Sequence, residues 1–419
     1  MEVILVESKL RKYLSILALS ASGGSIYLIP YIRYVFYDHQ IAAMGITNQQ
    51  LGFLSTIYAI GCMLLYIPGG IIADKTSTKK CIILSLLSTA VLTTIFAFSM
   101  NYTAALIIWF LFAFTTTFVF WGSLFKTIRL IATENEQGFI FGLYYMGNGI
   151  FGAIVNGIAI WTMRFSDQMN TQFSYAVLIY AASTLVSAIL IWVLIKEDKE
   201  KSKELKVNEF KLSQVGGLVK NPILWIFSFI IFAGYAVYSS TSYFTPYLTE
   251  VVGITPEESG VLSIFRTYLF YILAPLSGIV ADKVFKSTSK WFMSLFAILA
   301  LLFLGVMLLP EGTSVIVVSL YTLLPGMFGL ALYGIIFSIA QETRIPAAVM
   351  GTAVGIASII GYTPDFFMST MFGTWLDNFG ASGYRYIFLF LMSVCIVGLL
   401  ASFFIYRKVK LIHARESSK

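Results

Sequence analysis

Histidine and cysteine are nearly missing: the 419 residues contain two histidines and three cysteines. His39 and His413 lie far apart, and Cys62, Cys81 and Cys395 show no metal-ligand spacing. These absences argue against a zinc cluster or an iron–sulfur centre, and the cysteines read as packed thiols. No phosphate-binding glycine loop and no nucleophile elbow occurs, so an enzyme finds no support and neither metal nor cofactor is expected. Charge is the third scarcity. Only 12% of the residues are charged, against 58% hydrophobic, and the mean hydropathy is +0.83. A soluble surface needs far more charge than that.

Apolar stretches of about 20 residues recur instead along nearly the whole chain, each long enough to cross a ~30 Å hydrocarbon core. Reading them against charged and Gly/Pro breaks predicts twelve transmembrane helices, at 13–36, 50–73, 80–99, 103–131, 138–162, 173–195, 222–248, 257–281, 290–309, 314–340, 346–376 and 384–407. The first is preceded by Lys9, Arg11 and Lys12 and carries no small-residue cleavage site, so it reads as a span and not a cleaved leader. A charged connection from Lys196 to Lys220 divides the chain near its middle. The expected organisation is a six-helix half at 1–195, a cytoplasmic linker at 196–221 and a second six-helix half at 222–419.

The net charge of +7 points to orientation, not to nucleic acid. With the N-terminus in the cytoplasm, 22 of the 28 lysines and arginines fall in cytoplasmic loops or tails. The positive-inside rule then places both termini on that side of a bacterial-style plasma (inner) membrane.

The chain also repeats itself at an offset of 208 residues. Gly70-Ile71-Ile72-Ala73-Asp74-Lys75 returns as Gly278-Ile279-Val280-Ala281-Asp282-Lys283. Gly52-Phe53-Leu54-Ser55 returns as Gly260-Val261-Leu262-Ser263, and Ala132-Thr133-Glu134 as Ala340-Gln341-Glu342. Parallel halves related by an axis along the membrane normal are the arrangement of the major facilitator fold. The expected fold class is thus an all-α membrane protein with two pseudo-symmetric six-helix halves. In the repeated element, glycine allows close packing against the other half, and the aspartate and lysines form a charged clamp at the membrane surface.

The stretch Gly70-x3-Asp74-Lys75-x3-Lys79-Lys80 resembles the family's signature between helices 2 and 3, with Ser77 where glycine is usual. A narrower resemblance, to the organophosphate:phosphate antiporter branch that includes glycerol-3-phosphate transporters, rests on several stretches. They are Asn221-Pro222-x-Leu224-Trp225, Tyr243-x2-Pro246-Tyr247-Leu248, Asp282-Lys283-Val284-Phe285, Gly351-Thr352-Ala353-x-Gly355 with Gly361-Tyr362, and Glu136-Gln137-Gly138. That branch would hold substrate phosphate with arginines from helices 1 and 7. Here Arg33 occupies the first position, but the second falls at Tyr238, so half of the implied clamp is missing.

An ionisable group within a membrane helix costs at least about 2.5–3.5 kcal/mol, so by default it lines a pathway or is paired. Arg33, Lys126 and Arg266 are the candidate substrate-binding cations, with Tyr31, Tyr238, Tyr362 and Asn148 as hydrogen-bonding partners. Asp365, beside Pro364, is the candidate proton carrier or else the partner of a fixed salt bridge to Arg266 or Lys126. Asp74, Arg129, Glu134, Asp282 and Glu342 are expected to gate the cytoplasmic side. The glycines of helix 5 (142, 147, 149, 152, 157) imply close helix contacts. Basic groups outnumber the single deep acid, which suggests a secondary active carrier of a small organic anion, by proton symport or anion exchange. Phosphate ester, sulfonate and carboxylate all satisfy this. A proton-coupled carrier of a neutral or zwitterionic nutrient, such as a nucleoside or amino acid, is the alternative, with Asp365 as its coupling group.

Overall fold

In the computed structural model the chain is helical along almost all of the described residues, which are 2–131, 137–195, 219–310, 312–343 and 347–416. Twelve helical passages follow one another. Helix 1 is Glu2–Ile26 and, after a turn at 27–32, Arg33–Met44. Helix 2 is Asn48–Lys75 and helix 3 is Thr78–Phe98. Helix 4 runs as Tyr102–Ala113 and Phe120–Ile131 with a π-turn, Phe114–Phe118, between them. Helices 5 and 6 are Gln137–Met163 and Met169–Leu194.

Helix 7 begins as Pro222–Ser240 and continues through tighter and wider turns to Val252. Helix 8 is Pro256–Thr267, a 3₁₀ turn Leu269–Ile272, Leu273–Ile279 and a π-turn Val280–Phe285. Helix 9 is Thr288–Met307; helix 10 is Val315–Tyr321, Leu323–Tyr333 and a 3₁₀ stretch Ile336–Thr343. Helix 11 is Ala347–Gly361 and Pro364–Phe379, and helix 12 is Gly383–Glu416. The expected 196–221 linker lies almost entirely outside the described residues.

Nine described stretches are long and apolar enough to cross a membrane, the last of them, Ile356–Lys408, taking in parts of helices 11 and 12. Large apolar side chains such as Leu84, Val91, Trp192, Leu301 and Ile316 are exposed. Lipid tails are as apolar as these residues, so in a bilayer such a surface is satisfied.

Local chemistry sets the helix starts. Thr47 and Thr255 form capping boxes with Gln50 and Glu258, closing two orphan donors reciprocally at the starts of helices 2 and 8. Ser77 accepts from Lys80 N at 3.2 Å and caps helix 3. Serine in place of the family's usual glycine at this position therefore supplies an N-cap.

Contacts divide the chain into two compact units. The first is Met1–Lys206 with Thr255–Leu269, and the second is Val207–Ile254 with Phe270–Lys419. The first half of helix 8 thus groups with the first unit. Its Gly260 lies where a Cβ would come 3.3 Å from the Val35 carbonyl oxygen, so the backbones of helices 1 and 8 approach closely there. In helix 5, Gly147 meets Ser20 and Gly152 meets Tyr268, each 2.6 Å from a would-be Cβ, whereas Gly142 and Gly157 face open space. The close contacts expected of the helix 5 glycines thus hold for these two. Gly278 makes ordinary contact within its own unit, 3.8 Å from Ile335.

Candidate functional site

Two groups of polar side chains sit at helix breaks, one in each unit. In the first unit the break at 27–32 in helix 1 is held by short-range bonds such as Tyr34 N to Tyr31 O, 2.9 Å. The Pro30 carbonyl, freed by the break, accepts from Trp109 Nε1 at 3.2 Å. An irregular backbone at membrane depth is tolerated when other groups satisfy it in this way. The π-turn of helix 4 lies against the same region: Tyr27 donates to the Thr116 carbonyl at 2.9 Å, and Tyr58 pairs with the Thr116 hydroxyl at 2.8 Å. Tyr31 packs between Tyr34 and Tyr58, with ring centroids 5.2 and 5.7 Å away.

Arg33 opens the second segment of helix 1, buried at 4% exposure, with its guanidinium 5.3 Å from the Tyr34 ring centroid. Arg266 is fully buried on helix 8. Three contacts give the register of these two segments: His39 with Glu257, Val35 with Gly260, and the Ser263 hydroxyl donating to the Tyr34 carbonyl. The segments are antiparallel, so one turn beyond Ser263 brings Arg266 level with the break in helix 1, close in height to Tyr31 and Arg33. Lys126, also buried, is on the part of helix 4 that follows the π-turn. Asn148 donates to Tyr144 O–H at 3.3 Å and packs on Gly23 and Gly24, which seats helix 5 on helix 1.

In the second unit the helix 11 break falls at 362–363, immediately before Pro364, where proline removes a backbone donor. Asp365 sits there half-buried and accepts from Tyr235 at 2.6 Å, a short contact. Around it Tyr238 and Tyr333 stack with centroids 4.4 Å apart and planes 4° apart, and Tyr362 stands edge-on to Tyr235 at 4.6 Å. Hydroxyl pairs join Tyr238 to Tyr271 at 2.9 Å and Tyr333 to Tyr362 at 3.3 Å. Helices 7, 8, 10 and 11 thus contribute five tyrosines and one carboxylate to a single cluster.

Of the gate candidates, Glu342 is firmly placed. Its carboxylate accepts from the backbone N–H groups of Thr288 and Ser289 and from the Ser287 and Ser289 hydroxyls, closing the start of helix 9. Asp282 is exposed in the π-turn that ends helix 8. Glu134 lies outside the described residues, as do the side chains of Asp74 and Arg129.

Sequence reasoning passed over Tyr58, Thr116, Tyr271 and Tyr333. The Thr115-Thr116-Thr117 run and Pro30 were available as signals of broken helices; the tyrosine partners emerge only from packing. His39, beyond the first span expected at 13–36, lies in the helical segment Arg33–Met44, buried against Glu257 at 3.4 Å. The Tyr37 hydroxyl donates to Asn48 at 2.7 Å, tying that segment to the start of helix 2.

The model of the Major Facilitator Superfamily matches residues 14–369. The chain is 28% identical to inner membrane protein YqcE of Escherichia coli over 96% of both chains. It is 26% identical to YihN, another inner membrane protein of that organism, over 93% of this chain and 94% of the relative. The glycerol-3-phosphate transporter of Bacillus subtilis is a distant relative, 21% identical over 88% of this chain and 86% of its own, so the narrow branch resemblance holds only at that distance. A bacterial homologue of the human lysosomal transporter Spinster, solved inward-facing and unoccupied, superposes with a TM-score of 0.71. It is 14% identical over 96% of this chain and 97% of that one, a likeness that shows the fold. The chain is a multi-pass membrane protein and belongs to the Major Facilitator Superfamily of transporters.

Proposed function

We propose that this secondary transporter moves a small organic anion by alternating access, through proton symport or anion exchange. One observation carries the reading. Among the described residues, the arginine, lysine, aspartate and glutamate side chains that are buried are Arg33, Lys126 and Arg266, at 4%, 8% and 0% exposure, and no carboxylate is among them. Each such group costs about 2.5–3.5 kcal/mol to insert at membrane depth, and three of one sign give a pathway whose charge suits an anionic substrate. Arg33 and Arg266 flank the break in helix 1, where Tyr31 adds a hydroxyl and an aromatic face. A phosphate ester, a sulfonate or a carboxylate fits this chemistry.

Asp365 is the group we assign to proton coupling: it is half-buried, at a helix break, and in hydrogen-bond contact with a tyrosine. The same residue favours the second reading, a proton-coupled carrier of a neutral or zwitterionic nutrient, in which the cations would be structural. We further take 1–195 and 222–419 as the two moving halves. Both termini are assigned to the cytoplasm on the distribution of basic loops. Asp74, Arg129, Glu134, Asp282 and Glu342 are assigned to the gate on that side.

Thermal stabilisation of the purified protein tests the proposal, because a ligand that binds only the folded state raises stability by RT ln(1 + [L]/Kd). Phosphate esters, sulfonates and carboxylates are compared with nucleosides and amino acids, in the unmodified chain and in Arg266→Gln. Stabilisation by one class of anion, lost in the variant, supports the anion carrier. Stabilisation by neutral nutrients alone, unchanged in Arg266→Gln, refutes it in favour of the second reading.

A further inference from the structure

The tyrosine cluster of the second unit has its ring faces turned on one another. Tyr238 and Tyr333 cover each other's faces at 4.4 Å, and Tyr235 and Tyr362 meet face to edge at 4.6 Å. A cage for a quaternary ammonium needs ring faces open toward one centre, and here the facing pair Tyr238 and Tyr333 is closed by stacking. What the cluster offers a ligand is its hydroxyl tips.

Those tips are not equally held. The Tyr235–Asp365 contact, at 2.6 Å, is short. The Tyr333–Tyr362 contact, at 3.3 Å, is longer than the roughly 2.5–3.0 Å of an ordinary O–H···O bond. Two phenols joined by a single hydrogen bond use one of their two O–H hydrogens between them; the second hydrogen and the remaining lone pairs serve another group. Such a loose pair suits a partner that donates and accepts at one atom, which is the property of an alcohol. Tyr333 and Tyr362 are both half-buried residues, as are Tyr238 and Tyr271.

We propose that the Tyr333–Tyr362 pair, supported by Tyr238 and Tyr271, recognises hydroxyl groups of the transported molecule, so that the substrate is a hydroxylated organic acid or ester and not a bare alkyl anion. This rests on the anion-carrier reading for the substrate's charge and adds its second chemical feature. A site built to hydrogen-bond a substrate hydroxyl discriminates strongly against the analogue that lacks it, because its own polar groups are then left unmatched.

The test uses matched ligands on the purified full-length protein: gluconate against hexanoate, glycerol-3-phosphate against propyl phosphate, and glucose and glycerol as neutral controls. Thermal stabilisation is titrated for each, with Tyr333→Phe and Tyr362→Phe alongside. The hydroxylated member of at least one pair is expected to act at a concentration about tenfold or more below its partner, and the phenylalanine variants narrow that gap. If both members of each pair stabilise equally, hydroxyl recognition is overturned while the anion reading stands. If glucose or glycerol stabilises and neither anion pair does, hydroxyl recognition is supported and the anion reading falls. No stabilisation by any of them at millimolar concentration overturns the proposal. The ligand pairs decide the matter on the unmodified chain even if a variant fails to fold.

Discussion

Replacing Glu342 with alanine removes the acceptor that closes the start of helix 9. Its carboxylate takes the N–H of Thr288, the N–H of Ser289 at 3.2 Å and the hydroxyls of Ser287 and Ser289. A hydrogen bond to a charged group is worth about 1.5–3 kcal/mol net, and an anion at a helix N-terminus typically about 0.3–1 kcal/mol more. The individual terms are not additive, and Ser287 still caps Lys290 N at 3.3 Å after the substitution. The expected loss is therefore about 2–4 kcal/mol. Glu342→Gln keeps one acceptor oxygen and loses the charge, and should give roughly half of that. With about 2 cal/mol/K of unfolding entropy per residue, a loss of this size lowers Tm by several degrees. The assay is thermal unfolding in detergent or nanodiscs. A Tm unchanged within a degree in Glu342→Ala would refute the capping role, and an equal fall in both variants would refute the contribution assigned to charge.

Further substitutions probe the breaks and the packing. Gly69→Ala would drive a Cβ into the Phe118 carbonyl oxygen, so helices 2 and 4 must part at the π-turn; overpacking of this kind costs typically about 1–3 kcal/mol or more, and an unchanged yield and Tm would contradict it. Trp109→Phe strips the Pro30 carbonyl of its 3.2 Å donor; leaving a buried acceptor unmatched costs about 1–3 kcal/mol, read as a lower Tm, and no change would show that the break does not need that bond. His39 lies beyond the expected first span, and burial lowers its pKa below the ordinary 6.5, opposed by Glu257 and by the Gln172 side chain as an acceptor. The unfolded chain then takes up this proton before the folded one, so His39's contribution to stability is full above about pH 6.5 and declines as the pH falls below it. His39→Gln should flatten that acid-side decline, and an identical pH profile would contradict the assignment.

Much of the fold was legible because membrane helices announce themselves by length and polarity. Helix 3 was expected at 80–99 and is Thr78–Phe98; helix 6 was expected at 173–195 and is Met169–Leu194. The break in the span expected at 346–376 falls beside Pro364, whose missing backbone donor is visible in the sequence. The break in helix 1 was missed because Tyr27-Leu28-Ile29-Pro30-Tyr31-Ile32 keeps its apolar character through the turn, and hydropathy is indifferent to backbone conformation. Helix 7 was expected to end at 248 but runs to Val252, because Tyr384 donates to Glu250 at 2.9 Å and holds the polar last turn. The site was legible residue by residue and not as a group. Arg33, Arg266 and Asp365 stand out as charges in apolar sequence, whereas the stacking of Tyr238 on Tyr333 joins residues 95 positions apart.

The central claim is that the cargo is an anion, and transport itself tests it most directly. Proteoliposomes containing the protein and a trapped pH indicator are challenged, with and without a pH gradient or internal counter-anion, with the anions and neutral nutrients used for binding. The account predicts flux for one anion class, in exchange or with proton movement, and its loss in Arg266→Gln. Flux of a nucleoside or amino acid that survives Arg266→Gln, with no anion moved, would contradict it.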